Sequence, residues 1–353
     1  MEPLVVSEVS STPFKIPFVK PFTFAGTTLV ERSGFYLTLK TVDGLSITTE
    51  MAPMEGISPE TFRRAKHDTK DSCAYLKNFK FETDKDVLIE QLRHDPHVLN
   101  QCGSVRFAVE SALFLLAASK NKQTLIEFLG GVPKDIVSAV LLQGSHQEVM
   151  NDVKRFSQSG VKVFKLKVGD RNIALDVKKV EDIRVLLEHD AYLRLDGNRQ
   201  WTFKEACIFA DLVGNQRIDF IEEPMNDAAQ FDAFYQKTRM RVALDETLQV
   251  IKCGIHAPGR CSPPIADHEG VIAYVLKPMI LGVLPVLDWI EEAKLTKRKA
   301  IISSLFESPV AFKVLAHLAC FSGQISGLGT ERWFKNPKAY VGEDAVIRKE
   351  SLL

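Results

Sequence analysis

From about residue 136 onward, short apolar runs alternate with amphipathic stretches. The apolar runs predict eight strands, at 136–142, 161–168, 191–196, 219–224, 241–246, 271–278, 299–304 and 324–329. Between most of them the apolar positions recur with helical spacing, as in 203–214, where Ala206, Phe209, Ala210 and Val213 fall on one face. This alternation is typical of parallel βα units, and eight strands are the number that closes a barrel.

Residues before about 135 follow a different pattern. The stretch FYLTLKTVDGLSITTE, residues 35–50, alternates with a period of two on both sides of a Val-Asp-Gly turn and predicts a hairpin. Helical patterns follow at 58–66, 85–95 and 104–120. Strands followed by helices predict a separate α+β domain. Farther along, the Gly- and Pro-rich stretch 251–270 predicts an irregular crossover or an inserted loop.

The amino-acid composition restricts the kinds of molecule that the protein is expected to bind. Of the residues, 45% are hydrophobic and 25% charged, and the 45 basic residues balance the 45 acidic ones. We therefore expect a small-molecule partner rather than nucleic acid or a membrane. No secretory signal pattern and no apolar run long enough to span a bilayer is present in this sequence. The six cysteines form no CxxC pair, which favours thiols in a reducing cytoplasm.

Charged residues occupy the predicted strands where apolar ones are expected. In VKVFKLKVG, residues 161–169, alternation places Lys165 and Lys167 on one face of a strand that should be buried. In a barrel of βα units, active sites form at the carboxyl ends of the strands. The later strand ends supply further polar side chains, which are Arg194, Asp196, Asn198, Glu222, Glu223, Asp245, Glu246, Lys277, Ser303, Ser304 and Glu307.

Three acidic strand ends flanked by lysines have a specific chemical use. Carboxylates from adjacent strands can hold Mg²⁺, which prefers hard oxygen ligands. The cation would stabilise the charge that develops when a proton leaves the carbon next to a carboxylate. A lysine can remove that proton once burial, a second ammonium and the metal lower its pKa. A single acidic residue at a strand end is often only a helix N-cap, and Glu223, Glu246 and Glu307 are open to that interpretation.

The motifs KLK, LRLDGNRQW, IEEP, ALDE and VLKP, in this order, resemble the enolase superfamily in its muconate-lactonising branch. The stretches MAPMEGISPETF, SVRFAVESAL, DGNRQW and SSLFES are similar to the o-succinylbenzoate synthase family within that branch. The resemblance covers essentially the whole chain. It implies an α/β fold, a modified (β/α)7β TIM barrel with an N-terminal α+β capping domain. We assign 1–130 to the capping domain, 131–325 to the barrel, and 326–353 to a C-terminal segment that packs back on the capping domain.

The resemblance also implies a role for each site residue. Asp196, Glu222 and Asp245 match the Mg²⁺ ligands, with Mn²⁺ as a possible substitute. Lys167 matches the general base, Lys165 is the neighbour that tunes its pKa, and Lys277 matches the lysine on the opposite face of the substrate. Arg194, Asn198 and Ser303 are predicted to contact the substrate or to support the site. Gly197 stands where the family often has Ala, and the stretch 251–270 is longer than the family pattern, which leaves substrate choice open.

The implied reaction is the syn dehydration of 2-succinyl-6-hydroxy-2,4-cyclohexadiene-1-carboxylate to 2-succinylbenzoate, a step of menaquinone biosynthesis. The same paired lysines serve N-acylamino acid racemases and dipeptide epimerases, although the Asp-x-Asp pattern of the epimerases is not evident after Ser303. A non-catalytic binding protein with the same barrel fold is a third hypothesis. Against it, the three acids that match the metal ligands and the two lysines that match the catalytic pair are all present. The sequence leaves the oligomeric state open and is compatible with a monomer.

Overall fold

A computed structural model of the protein describes residues 2–24, 27–250, 268–336 and 340–352. The first part of the chain forms an antiparallel sheet with helices packed beside it. Its elements are β1 (Leu4–Phe24), β2 (Thr27–Thr41), β3 (Ser46–Met51), α1 (Phe62–Leu76), β4 (Lys80–Phe81), α2 (Lys85–Arg93), α3 (Pro96–Asn100), α4 (Gly103–Lys120) and α5 (Leu125–Phe128). The strand order is β3-β2-β1-β4, so the predicted hairpin is confirmed as β2–β3.

The second part alternates strands and helices along a curled parallel sheet. Its elements are β5 (Ile136–Val137), β6 (Val140–Leu142), α6 (His146–Gln158), β7 (Val163–Lys167), α7 (Ile173–Leu186), β8 (Tyr192–Asp196), α8 (Phe203–Val213), β9 (Ile218–Glu222), α9 (Phe231–Thr238), β10 (Val242–Leu244), α10 (Glu246–Val250), β11 (Val271–Leu276), α11 (Pro278–Leu281), α12 (Val283–Leu295), β12 (Lys299–Ile302), α13 (Pro309–Ser322) and β13 (Val346–Ile347). Within the described residues, β6 to β12 form one seven-stranded sheet in sequential order.

Two of the predicted strands differ from the expectation. The run 136–142 is divided, because β5 pairs antiparallel with β13 whereas β6 joins the parallel sheet. The run 324–329 is not a regular strand. Only Ser326 and Gly327 form bridges, to Ser138 between β5 and β6 and to Ser303 after β12. One bridge lies near β6 and the other near β12, the two edge strands of the sheet. These two residues occupy the place in which we predicted an eighth strand.

The helices that separate the strands begin where the sequence supplies caps. The side chains of Ser145 and Thr202 each accept a hydrogen bond from the backbone N–H three residues on. In turn, the side chains of Glu148 and Glu205 accept hydrogen bonds from the backbone N–H groups of Ser145 and Thr202. Such capping boxes satisfy two N–H groups that a helix start otherwise leaves without partners. In α8 the predicted apolar face is confirmed, since Ala206, Phe209, Ala210 and Val213 are all buried.

The two parts of the chain share one hydrophobic core and are joined by buried polar contacts. Glu110 of α4 accepts hydrogen bonds from the N–H groups of Val283 and Leu284, at the start of α12. At Gly103 a Cβ atom would lie 1.8 Å from the carbonyl oxygen of Ile280, so only glycine allows α4 to approach α11 this closely. The domain limits that we assigned stay a prediction.

Four of the six cysteines lie within the described residues. Cys73, Cys102, Cys207 and Cys320 are free thiols, whereas Cys253 and Cys261 lie outside the described residues. Most of the predicted irregular segment 251–270 also lies outside them. No helix in the described part of the chain is both long and apolar enough to cross a membrane.

Candidate active site

The parallel register brings the charged strand ends together. Lys167 of β7 pairs with Asp196 of β8, and Asp196 pairs with Glu222 of β9. Asp245 directly follows β10 and Lys277 directly follows β11. Because adjacent parallel strands end at the same edge, residues that are far apart in sequence share one rim of the sheet.

Two lysines contact the three acidic strand ends directly. Lys165 Nζ lies 2.9 Å from Asp196 Oδ2 and 2.8 Å from Glu222 Oε2. Lys277 donates to Asp245. The lysine side chains are only 18% and 12% exposed and the three acids are almost fully buried. The described site thus balances carboxylates with ammonium groups in a region of low solvent exposure.

The three lysines of the site differ in the direction of their pKa shifts, because their surroundings differ. Burial lowers the pKa of Lys167 to about 8; Asp196 opposes this shift, and the positive charges of Lys165 and Lys277 reinforce it. Burial would also lower the pKa of Lys165, but Asp196 and Glu222 outweigh burial and raise it. Asp245 and Glu222 likewise raise the pKa of Lys277 against the effect of burial. Lys167 is therefore the lysine whose amine most readily becomes neutral near physiological pH.

A cavity opens over this rim and contains most of the predicted site residues. Lys165, Lys167, Asp196, Glu222 and Lys277 line it, and so do the predicted contact residues Arg194, Asn198 and Ser303. Its apolar surface comes from Ala139, Leu141, Phe220, Val275, Ile301, Leu305 and Phe306, and from Ile57 of the N-terminal part. An apolar chamber with a few converging charges is typical of a site for a small molecule.

Two of the three predicted contact residues, Arg194 and Asn198, already have side-chain partners within the protein. Arg194 Nε donates to Asp219 Oδ2 at 3.1 Å, and its Nη1 donates to the carbonyl oxygen of Ile325. The backbone N–H of Asn198 donates to Asp196 Oδ1, and its side chain donates to Glu246 Oε1 at 3.4 Å. These contacts fix where the two side chains lie at the cavity wall, and their roles toward a substrate stay predictions.

Glu307, which the sequence left open to interpretation as a helix N-cap, is hydrogen-bonded within its own loop. It accepts hydrogen bonds from Ser304 Oγ and from the N–H of Leu305. Ser304 itself lies 2.7 Å from Thr330 Oγ1. This buried network shapes the loop after β12, which forms one wall of the cavity.

Sequence reasoning did not single out several residues of the cavity lining. Gln143 follows β6 directly, so the rule that polar residues at strand ends form the site would have found it. Thr330 and Ile57 lie in irregular segments, and no periodic signal in the sequence marks them. These two lining residues are therefore ones that sequence patterns do not identify.

The acidic strand ends suit a hard divalent cation by their chemistry. Asp196, Glu222 and Asp245 offer carboxylate oxygens from three adjacent strands, which Mg²⁺ prefers. Burial and the neighbouring Asp196 carboxylate raise the pKa of Glu222, a repulsion that a cation would relieve. In the described part of the chain, no three His, Cys, Asp or Glu side chains already form a metal cluster. Lysines contact the three acids at this rim.

Comparisons with known proteins agree with this arrangement. Residues 148–252 match a family model described as "Enolase C-terminal domain-like". The chain is 30% identical over 318 residues to an o-succinylbenzoate synthase of Aliivibrio fischeri (strain MJ11), covering 87% of this chain and 85% of that protein. It is also 30% identical over 338 residues to an o-succinylbenzoate synthase of Escherichia coli O1:K1, covering 88% and 92% of the two chains.

A solved structure shows the same fold in a more distant protein. The dipeptide epimerase of Enterococcus faecalis V583, complexed with Mg and the dipeptide L-Leu-L-Tyr, superposes with a TM-score of 0.82 at 19% identity. The match covers 99% of this chain and 97% of the epimerase. At this identity the likeness establishes the fold and not the reaction.

Proposed function

The chain belongs to the o-succinylbenzoate synthase family of the enolase superfamily, and we propose that it catalyses the reaction of that family. The substrate would be 2-succinyl-6-hydroxy-2,4-cyclohexadiene-1-carboxylate and the products 2-succinylbenzoate and water. We extend the proposal to a (β/α)7β barrel beneath an N-terminal capping domain, and to a place in menaquinone biosynthesis. Location in the cytoplasm stays a prediction.

Lys167 would be the base that starts the reaction. With its pKa lowered to about 8, a useful fraction of its amine is neutral near pH 7 and can accept the proton on the carbon next to the carboxylate. Lys277, held protonated by Asp245 and Glu222, would face the negative charge that develops on the substrate. The ammonium of Lys167 would then return its proton to the departing hydroxyl group, which leaves as water from the same side.

Asp196, Glu222 and Asp245 would hold Mg²⁺. When bound, the cation supplies positive charge that stabilises the carboxylate as it gains a second negative charge. Lys165, in contact with two of these acids, would keep its own charge and lower the pKa of Lys167. The observation that carries the proposal is geometric: Lys167, Lys277, Asp196 and Glu222 line one cavity, and Lys165 beside them contacts both acids.

Racemisation or epimerisation is the second candidate, because Lys167 and Lys277 both reach the cavity and could exchange protons with a substrate. The charges of the lining favour the dehydration over a dipeptide epimerase. Among the described lining residues, the acids are Asp196 and Glu222, both assigned to the metal. No further carboxylate of that lining is available for the ammonium group of a dipeptide. An N-acylamino acid, which lacks that ammonium, remains a substrate to be tested.

The test compares the two reactions with one enzyme preparation. The purified protein is incubated with the cyclohexadiene acid and Mg²⁺, and loss of diene absorbance is followed together with the appearance of 2-succinylbenzoate by mass spectrometry. In parallel, N-succinylamino acids and dipeptides are incubated in D₂O and exchange at the α-carbon is followed by NMR. Rapid loss of the diene supports the synthase. If α-exchange proceeds and the diene persists, the proposed reaction is wrong.

A further inference from the structure

Glu223 stands next to a proposed metal ligand but faces the other way. It follows Glu222 at the end of β9, it is completely buried, and it does not line the cavity. Its backbone has a φ of +40°, a conformation that side chains other than glycine seldom adopt. Such backbone strain persists only where the surroundings enforce it.

The carboxylate of Glu223 accepts four hydrogen bonds. Its Oε1 accepts from the backbone N–H of Asp245 at 2.9 Å and from that of Thr247 at 2.8 Å. Its Oε2 accepts from Thr247 Oγ1 and from Arg199 Nε, both at 2.9 Å. Two strand ends on either side of β9 are therefore connected through this one side chain.

These contacts reach the neighbours of two other proposed metal ligands. Arg199 lies in the turn after Asp196, and its own backbone N–H donates to the carbonyl oxygen of Glu223 at 2.8 Å. Arg199 Nη2 also donates to Thr247 Oγ1 at 2.7 Å, which closes the ring between the ends of β8 and β10. A displacement of the Glu223 carboxylate would thus move Asp245 directly and the 196–199 turn through Arg199.

We propose that Glu223 is a positioning residue that holds the three acidic strand ends at the spacing a divalent cation needs, without contacting the cation. This inference rests on the proposed function, since it assumes that Asp196, Glu222 and Asp245 bind Mg²⁺. Groups that hydrogen-bond to metal-ligating residues, or hold them in place, set metal affinity strongly, and changing them typically weakens binding 10–100-fold.

The test measures cation binding by itself. Mg²⁺ affinity is determined by calorimetry, and Mn²⁺ affinity by electron paramagnetic resonance, for the wild-type chain and for Glu223→Gln. The amide keeps the shape but replaces one acceptor oxygen with a donor that faces Arg199 and Thr247. We expect roughly 10–100-fold weaker binding, and recovery of kcat when Mg²⁺ is raised to saturation.

Glu110→Gln is the matched control. Glu110 is also fully buried and also accepts hydrogen bonds from two backbone N–H groups and an arginine. Its two N–H donors lie at the start of α12 and not at the site. The Glu110→Gln substitution should lower the unfolding temperature and leave the affinity for Mg²⁺ within twofold of wild type. If Glu110→Gln weakened Mg²⁺ binding as much as Glu223→Gln, the effect would reflect general stability and the inference would be wrong.

A second variant covers the case in which Glu223→Gln does not fold. Arg199→Met removes one donor to Glu223 and the link to Thr247, and should weaken Mg²⁺ binding by about threefold or more. Wild-type affinity in Glu223→Gln, or in Arg199→Met when Glu223→Gln does not fold, overturns the inference and leaves the proposed function intact. If the wild-type chain itself binds neither Mg²⁺ nor Mn²⁺, it is the proposed function that fails.

Discussion

The Nζ atom of Lys165 lies between two acids from different strands, 2.8 Å from Glu222 Oε2 and 2.9 Å from Asp196 Oδ2. Both acids are also proposed ligands of the divalent cation. An ammonium at this position offers each carboxylate a positive charge that the cation would otherwise supply. The two positive charges should therefore compete for the same oxygens, because like charges repel strongly in a site of low solvent exposure.

Replacement of Lys165 by methionine should tighten cation binding. Lys165→Met keeps the length of the side chain and removes the charge. Two unit charges 4 Å apart interact by about 4 kcal/mol at an effective dielectric constant near 20, so tenfold tighter Mg²⁺ binding requires only part of that energy. Calorimetric titration without substrate measures the change. Lys162→Met, at an exposed lysine that pairs with Asp190, is the control and should bind as wild type. Weaker binding in Lys165→Met would instead indicate that Lys165 holds the ligands in place.

Replacement of Lys167 should remove the chemical step. Lys167→Ala deletes the proposed base, and general bases typically contribute 10²–10⁴-fold to the rate. We expect kcat for the dehydration to fall by at least about 100-fold, while circular dichroism and the unfolding temperature stay close to wild type. The exposed Lys162→Ala variant should retain full activity. Activity of Lys167→Ala within about threefold of wild type would rule out the assigned role.

The order of the elements and the charged rim could be predicted because both follow from short-range rules. Period-two and helical patterns mark β6 to β12 and the helices between them, and the register of parallel strands then places Lys167, Asp196 and Glu222 side by side. The sequence also indicates that two lysines share one face of β7. A fold of this kind repeats one local unit, so a local pattern carries information on the whole sheet.

The rest of the site could not be predicted because it depends on contacts between distant segments. The two bridges of Ser326 and Gly327 replace a strand, and nothing in the sequence of that segment distinguishes them from a regular strand. The four donors to Glu223 come from two other strand ends. For the same reason, sequence reasoning could not decide whether this acid is a cap or a part of the site.

Replacement of Arg32 should destabilise the protein strongly, because this buried side chain joins segments that are distant in sequence. Its guanidinium is buried and donates to the carbonyl oxygens of Ala52, Pro53 and Phe306, which joins the N-terminal part to the loop after β12. Arg32→Met would leave those oxygens, and the nearby acids Glu50 and Glu307, without this positive charge. Loss of one partner from a buried charged cluster costs about 3–5 kcal/mol, which urea unfolding can measure.

The control for Arg32 is Lys15→Met. Lys15 forms an ion pair with Glu31 but is 71% exposed, and exposed pairs of this kind contribute about 0–1 kcal/mol. Arg32→Lys should give an intermediate loss, because one ammonium cannot reach all three carbonyl oxygens. Equal stability of Arg32→Met and Lys15→Met would show that the buried cluster does not hold the two parts together.

His317 should make the protein less stable in mild acid. It is buried in α13, its Nδ1 has no hydrogen-bond partner, and burial lowers its pKa to about 4, helped by Lys313 and opposed by Glu127. In the unfolded chain a histidine has a pKa of about 6.5, so below that pH the unfolded state binds a proton that the folded state does not. The stabilising effect is complete above pH 6.5 and is lost as the pH falls toward 4. Each pKa unit corresponds to 1.36 kcal/mol, so the loss attributable to His317 reaches at most about 3 kcal/mol.

The measurement is the free energy of unfolding in urea at a series of pH values between 7 and 4. Other groups titrate in the same range, and a comparison of variants isolates the histidine. His317→Gln cannot take up the proton and should lose less stability than wild type across this range. His189→Gln, at a histidine that is 91% exposed, should follow the wild-type curve. Parallel curves for wild type and His317→Gln would mean that the imidazole is already protonated, or solvated, in the folded protein.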